Sequence, residues 1–363
     1  MEKKKVYLSL QNGRAFQGYR FGAEGEATGE LVFSTGMVGY METLTDPSNF
    51  GQIVVQTFPL IGNYGAIRAD VESEKAWVSA YVVREFCEEP SNFRMEGQLE
   101  TYLKEQGVVG IYGVDTRELT KILREEGVMN AKISNRPLKE QELKALSDYK
   151  ITNAVESVSS EKKGYFEAEN AKYTVALWNL GAKNSTIAHL NEQGCNVVSM
   201  PASSTAEEIL ALHANGVVIS DGPGDPKENA TLLEEVKKLL GNVPVLGLGL
   251  GHQLVALALG GKTKKQKYGH RGGNQPVKCT KTGKVYISSQ NHGYEVVADS
   301  VKGGRTNFVN INDGSCEGVE YEELQAFTLQ FTPESCAIGN SENPIYTKFF
   351  AMMEKEKAYA EEK

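Results

Sequence analysis

One turn has the surroundings of a nucleophile and no nucleophile: Gly247-Leu248-Gly249-Leu250-Gly251-His252. An apolar run, Val243-Pro244-Val245-Leu246, precedes it, and a helical stretch from Gln253 to Leu259 follows and ends at Gly260-Gly261. Strand, sharp glycine-flanked turn and helix together lift a reactive side chain to the top of an α/β sheet. That side chain should be Cys or Ser, and the apex residue is Gly249. A phosphate loop is the other reading of these glycines. The dinucleotide fingerprint needs its third glycine three residues after the second and an acidic residue about twenty further on. Gly247, Gly249 and Gly251 are spaced two apart, a Lys-rich stretch (Lys262–Lys267) follows, and there is no Walker loop.

Three further segments hold groups that could serve a site. Ser220-Asp221-Gly222-Pro223-Gly224-Asp225-Pro226 follows an apolar strand. It reads either as a plain turn or as backbone N–H groups facing a ligand at the carboxyl end of a parallel strand. Ser289-Gln290-Asn291-His292-Gly293-Tyr294 reads as a polar turn. Gln330-Phe331-Thr332-Pro333-Glu334 ends a strand with a carboxylate, which on its own is an ordinary solvated turn residue.

The elements that position these segments alternate from Tyr173 onward. Strands are expected at Thr174–Trp178, Asn196–Met200, Gly216–Ser220 and Val243–Leu248, and helices at Asn184–Gln193, Thr205–Ala214 and Ala230–Leu240. That alternation implies a largely parallel sheet with crossover helices. Lys284–Ser289 and Ala326–Phe331 add strands. Residues 1–150 are instead rich in short strand-like runs: Val6–Leu10, Glu30–Ser34 and Gln52–Thr57, with turns between them. One helix is expected there, Thr116 to Glu126, with Asp115 as N-cap and Leu119, Ile122 and Leu123 on one face. Residues 151–171 are polar and aperiodic over most of their length and read as a linker, leaving 172–357 as the second domain.

Composition narrows the classes. A chain of 363 residues has room for two domains, and 40% hydrophobic with 24% charged residues is globular. The net charge of −8 argues against nucleic acid as a partner. No signal-peptide core and no apolar run of membrane-spanning length is visible, so a cytoplasmic protein is expected. The five cysteines and five histidines show no metal-ligand spacing, so no metal is expected in this chain.

In their order and spacing, the four chemical segments resemble the class I glutamine amidotransferase domain. The wider chain resembles the carbamoyl phosphate synthetase small-subunit family. In the N-terminal half the resemblance rests on Gly39-Tyr40-Met41-Glu42-Thr43-Leu44-Thr45-Asp46-Pro47-Ser48, Ile61-Gly62-Asn63-Tyr64-Gly65 and Asp115-Thr116-Arg117-Glu118-Leu119-Thr120. In the second half it adds Lys267-Tyr268-Gly269-His270-Arg271-Gly272-Gly273-Asn274. It implies an α/β fold. A strand-rich small-subunit domain that docks a large subunit would precede a class I amidotransferase domain with a largely parallel sheet and flanking helices.

The resemblance also implies a chemistry. Family members hydrolyse glutamine with a thiolate, a histidine and an orienting carboxylate, and pass ammonia to a large subunit that uses ATP, a divalent metal and bicarbonate to make carbamoyl phosphate. That product feeds arginine or pyrimidine synthesis. The elbow should read Gly-x-Cys-x-Gly-His-Gln, and the Cys position is Gly249. The strand end should read His-Pro-Glu, and the His position is Thr332, while Glu334 remains. By resemblance Gly222, Gly224, Gln253, Asn291, Gly293 and Tyr294 (for the usual Phe) line the glutamine pocket, and the N–H groups of Gly222 and Leu250 form the oxyanion hole. Gly36 stands where a pocket serine is expected, a loss of about 1 kcal/mol of ligand hydrogen bonding. Lys183 matches the family's Asp-x-Gly-x-Lys segment, whose Asp is Asn179. Cys336 has no elbow.

The expected function is a small subunit with an inactive glutaminase, dependent on free ammonia. The alternative is a non-catalytic regulatory paralogue that still binds glutamine. A third reading, chemistry built on His292 and Glu334, has no activated nucleophile.

Overall fold

A computed structural model describes residues 4–336 and 344–361, with side chains described through Lys355 apart from Pro344. The chain divides into two compact units, Met1–Ala154 and Val155–Lys363. The first is built on a closed seven-stranded barrel. Its strands are β1 (Lys5–Leu10), β2 (Ala15–Gly22), β3 (Ala27–Ser34), β4 (Gln52–Gln56), β5 (Ala80–Val82), β6 (Val109–Tyr112) and β7 (Met129–Ser134). They close in the order β1-β2-β6-β5-β4-β3-β7. Alternating apolar side chains such as Val6, Leu8, Leu31, Ile53, Val55, Ile111 and Ile133 fill the core. Helix α1 (Thr116–Glu126) covers it with Leu119, Ile122 and Leu123. Asp115 caps that helix by accepting the Glu118 N–H at 3.0 Å, as the sequence pattern predicts.

The second unit carries a ten-stranded sheet. Its strands are β8 (Gly164–Phe166), β9 (Tyr173–Asn179), β10 (Cys195–Pro201), β11 (Gly216–Ile219), β12 (Val245–Leu248), β13 (Thr263–Cys279), β14 (Val285–Val296), β15 (Arg305–Asn310), β16 (Cys316–Tyr321) and β17 (Ala326–Leu329). The order is β8-β10-β9-β11-β12-β17-β16-β14-β13-β15. The run β10-β9-β11-β12-β17 is parallel throughout, and the flanks are antiparallel. Helices α2 (Asn184–Glu192), α3 (Ala206–Leu210), α4 (Ala230–Leu239), α5 (Leu250–Ala258) and α6 (Pro344–Glu361) complete the α/β architecture. Strand order reverses between β9 and β11, and open α/β sheets bind ligands at the carboxyl ends of the strands at such a point. No helix among the described residues is long and apolar enough to cross a membrane.

The structure corrects two sequence expectations. Ser289–Tyr294 is no turn but the interior of β14, with His292 paired to His270 and Asn291 to Arg271 across β13. Its polar side chains mimic a turn because Gln290 and His292 point into a buried hydrogen-bonded network, not because the chain reverses. The segment read as linker is partly ordered. A short helix at Ala154–Val158 buries Val155 and Val158, and β8 pairs with β10.

Candidate active site

Four loops meet the carboxyl edge of the parallel sheet: Leu180–Lys183 after β9, Ser220–Pro226 after β11, Gly249 after β12 and Gln330–Glu334 after β17. Gly249 sits between β12 and α5 with φ 49° and ψ −104°, a left-handed-side conformation that costs an L side chain and not glycine. Its N–H donates to the Leu329 carbonyl at 2.8 Å, which pins the turn to β17. Gly251 lets α5 lie on β11, since a Cβ there would stand 2.3 Å from the Ile219 carbonyl oxygen. The backbone is thus an elbow, and the apex carries no reactive atom.

The two N–H groups expected to form the oxyanion hole do converge. Gly222 N–H donates at 2.8 Å and Leu250 N–H at 3.2 Å, and both point at the same oxygen, Oδ1 of Asp221. Sequence reasoning named the donors and missed this acceptor. Asp221 lies in the quoted turn, but nothing in the pattern says that its carboxylate turns toward position 250.

Thr332, where the resemblance leads one to expect a histidine, is paired with a lysine. Lys183 Nζ donates to Thr332 Oγ1 at 2.7 Å, and Lys183 is buried. Asn179 in place of Asp costs the β9 loop little, because its Oδ1 accepts from Gly181 N–H at 3.1 Å and Ala182 N–H at 2.8 Å. Glu334 has no imidazole to orient. Its oxygens accept from Thr186 Oγ1 at 2.5 Å and Tyr346 Oη at 3.1 Å. The Cys336 thiol is pushed up to about 12, by burial first and Glu334 second, so it holds its proton at neutral pH.

The residues that the resemblance assigns to the pocket are spread over both units. Gln253 on α5 bridges to β14, donating from Nε2 to the Tyr294 carbonyl at 3.0 Å and to Gln330 Oε1 at 2.9 Å. Asn291, Gly293 and Tyr294 lie side by side on β14, and Gly224 takes φ 89° in the β11 loop. Gly36 belongs to the first unit, in the loop after β3, where its carbonyl accepts from Gln56 Nε2 and its N–H donates to Ser34 Oγ at 3.3 Å.

His292 is not available as a base of ordinary strength. Burial drives its pKa well below the normal value, and its nitrogens face the Tyr294 carbonyl at 2.9 Å and Gln290 Oε1 at 3.0 Å. With His270 and Glu317 it forms a buried group whose potential ligand atoms lie within 4.8 Å of one another. Sequence spacing hid this group, because β13, β14 and β16 each supply one member. Protein partners already engage it. Glu317 accepts from Ser315 Oγ and Gln290 Nε2, both at 2.9 Å, and His270 Nε2 meets Asp313 Oδ2 at 2.9 Å. Burial works against charge on His270, but Glu317 and Asp313 outweigh it and raise the pKa.

Both units resemble known proteins. Residues 8–133 match the family model described as carbamoyl-phosphate synthase small chain, CPSase domain, and residues 177–352 match glutamine amidotransferase class-I. The carbamoyl phosphate synthase small chain of Bacillus caldolyticus is 43% identical over 355 residues, 96% of each chain. That of Clostridium perfringens is 45% identical over 349 residues, 95% of this chain and 98% of its own. Among solved structures, a glutamine amidotransferase from Thermotoga maritima aligns at 18% identity and TM-score 0.35, covering 52% of this chain and 84% of its own.

Proposed function

Since this chain belongs to the carbamoyl phosphate synthase small-chain family, we propose that it acts as a small subunit whose own glutaminase is silent. It would dock a large subunit, which would then draw on free ammonia. One observation carries the reading: the elbow apex, Gly249, has no side chain, so nothing can form the covalent intermediate that amide hydrolysis by this route needs. The base position supports it. Thr332 is no proton acceptor at neutral pH, and Lys183 already donates to its hydroxyl. ATP and divalent-metal chemistry would belong to the large subunit.

The test is reconstitution with a carbamoyl phosphate synthase large subunit. A stable complex should form and make carbamoyl phosphate from ammonia. Glutamine should support at least about 10³-fold less ammonia release than an intact small chain gives, well within the roughly 10⁶-fold cost of losing a nucleophile. Glutamine hydrolysis at the intact rate sinks the silent-site reading, and failure to associate with a large subunit sinks the docking reading.

A second reading is a regulator that binds glutamine without cleaving it. It needs the Gly222 and Leu250 N–H groups for the ligand, and both already donate to Asp221 Oδ1. Calorimetry separates the two, because a regulator must bind glutamine at millimolar concentration or below.

A further inference from the structure

The acceptor of those two N–H groups is part of the chain itself. Asp221 Oδ1 takes both donors, Gly222 at 2.8 Å and Leu250 at 3.2 Å. Leu250 opens α5, so the carboxylate also lies where the helix dipole favours negative charge. A Cβ built on Gly249 would stand 2.0 Å from Asp221 Oδ1 and 2.4 Å from its Cγ. The carboxylate therefore fills the space where a side chain at 249 begins. A nucleophile at 249 and Asp221 in this position exclude each other.

We propose that Asp221 is a built-in occupant of this site, and that its carboxylate, rather than the missing nucleophile alone, decides whether the pocket takes an external amide. A glutamine amide oxygen needs the same two N–H groups and would have to evict a charged acceptor to reach them. The vacated hole would take the oxygen of a neutral amide such as glutamine, or of a carboxylate of similar size. The inference deepens the silent-site reading and rests on it for the identity of the pocket.

Calorimetry with L-glutamine on the full-length chain tests it in three forms. Wild type should show no binding at millimolar ligand. Asp221→Ala should bind at least about tenfold more tightly, a shift of ~1.4 kcal/mol. Asp221→Asn keeps an acceptor oxygen but loses the charge, and should fall between wild type and Asp221→Ala. Asp221→Ser, which keeps a polar turn residue, serves where Asp221→Ala folds poorly and should also gain binding. Equal affinity in wild type and the emptied variants overturns the proposal, and so does absence of binding in emptied variants that retain a cooperative melt. A double-mutant cycle gives a readout without ligand. Gly249→Ala should lower the melting temperature more in the Asp221 background than in the Asp221→Ser background. Additivity overturns the proposal. Ammonia release by the wild-type chain, which would sink the silent-site reading, is a separate assay and leaves these comparisons interpretable.

Discussion

At Gly249, backbone and chemistry pull in opposite directions. The turn keeps a torsion suited to a strained nucleophile, and glycine occupies it at no steric cost. Restoring only the missing groups should therefore fail. Gly249→Cys with Thr332→His is expected to show no glutaminase activity while Asp221 fills the hole, and adding Asp221→Ser should give measurable ammonia release. Activity in the double variant at the level of the triple would refute this. The empty apex was legible in the sequence, because it depends on residue identity at a fixed spacing. Its neighbour was not, because Asp221 reaches position 250 through a side-chain orientation that only the folded β11 loop fixes. His252 gives a second residue-scale prediction. It is fully buried, Nδ1 meets Thr328 Oγ1 at 2.8 Å, and burial pulls its pKa down to about 3. The unfolded chain binds its proton near pH 6.5, so this group's contribution is present above that pH and lost as the pH falls toward 3. Between those values stability should drop by up to ~1.4 kcal/mol per pH unit from this histidine. In denaturant titrations across that window His252→Asn, which can keep a contact to Thr328, should show a shallower acid slope than wild type.

Among the elements, helix α1 followed local rules and the long hairpin did not. Helix α1 begins and ends where its Asp115 cap and Gly127 stop lie. Asp115→Ala should cost about 1 kcal/mol in the first unit by equilibrium denaturation. Strand β14 broke the pattern because buried Gln290 bonds His292 on its own strand and the Glu317 carboxylate on β16, an arrangement that polarity along the chain cannot reveal. Helix α5 starts earlier than its apolar stretch indicates, since Gly249 serves as its N-cap and draws Leu250 and Gly251 into the first turn. Its seat on β11 depends on Gly251. Gly251→Ala would drive a methyl against the Ile219 carbonyl and should destabilise the second unit by about 1–3 kcal/mol, measurable as a lower midpoint with unchanged m-value.

On the scale of the whole molecule, each unit has its own hydrophobic cores, on the two faces of the barrel strands in the first and both faces of the parallel sheet in the second. Residues 1–154 expressed alone should therefore unfold in one cooperative transition, and a chain without a melting transition would show that the barrel depends on the rest. The sequence changes from strand-rich to alternating segments near the division between the two compact units. The linker's ordering was hidden, because β8 gains its stability from pairing with β10 and not from its own composition. The closed barrel has a consequence for assembly. Every barrel strand is hydrogen-bonded on both sides, so the barrel offers no free edge for a visiting strand to extend. A partner must be recognised there through side chains presented by loops and barrel faces. Such a surface can be rewritten one residue at a time without disturbing the main-chain ladder, which lets the choice of partner drift independently of the scaffold.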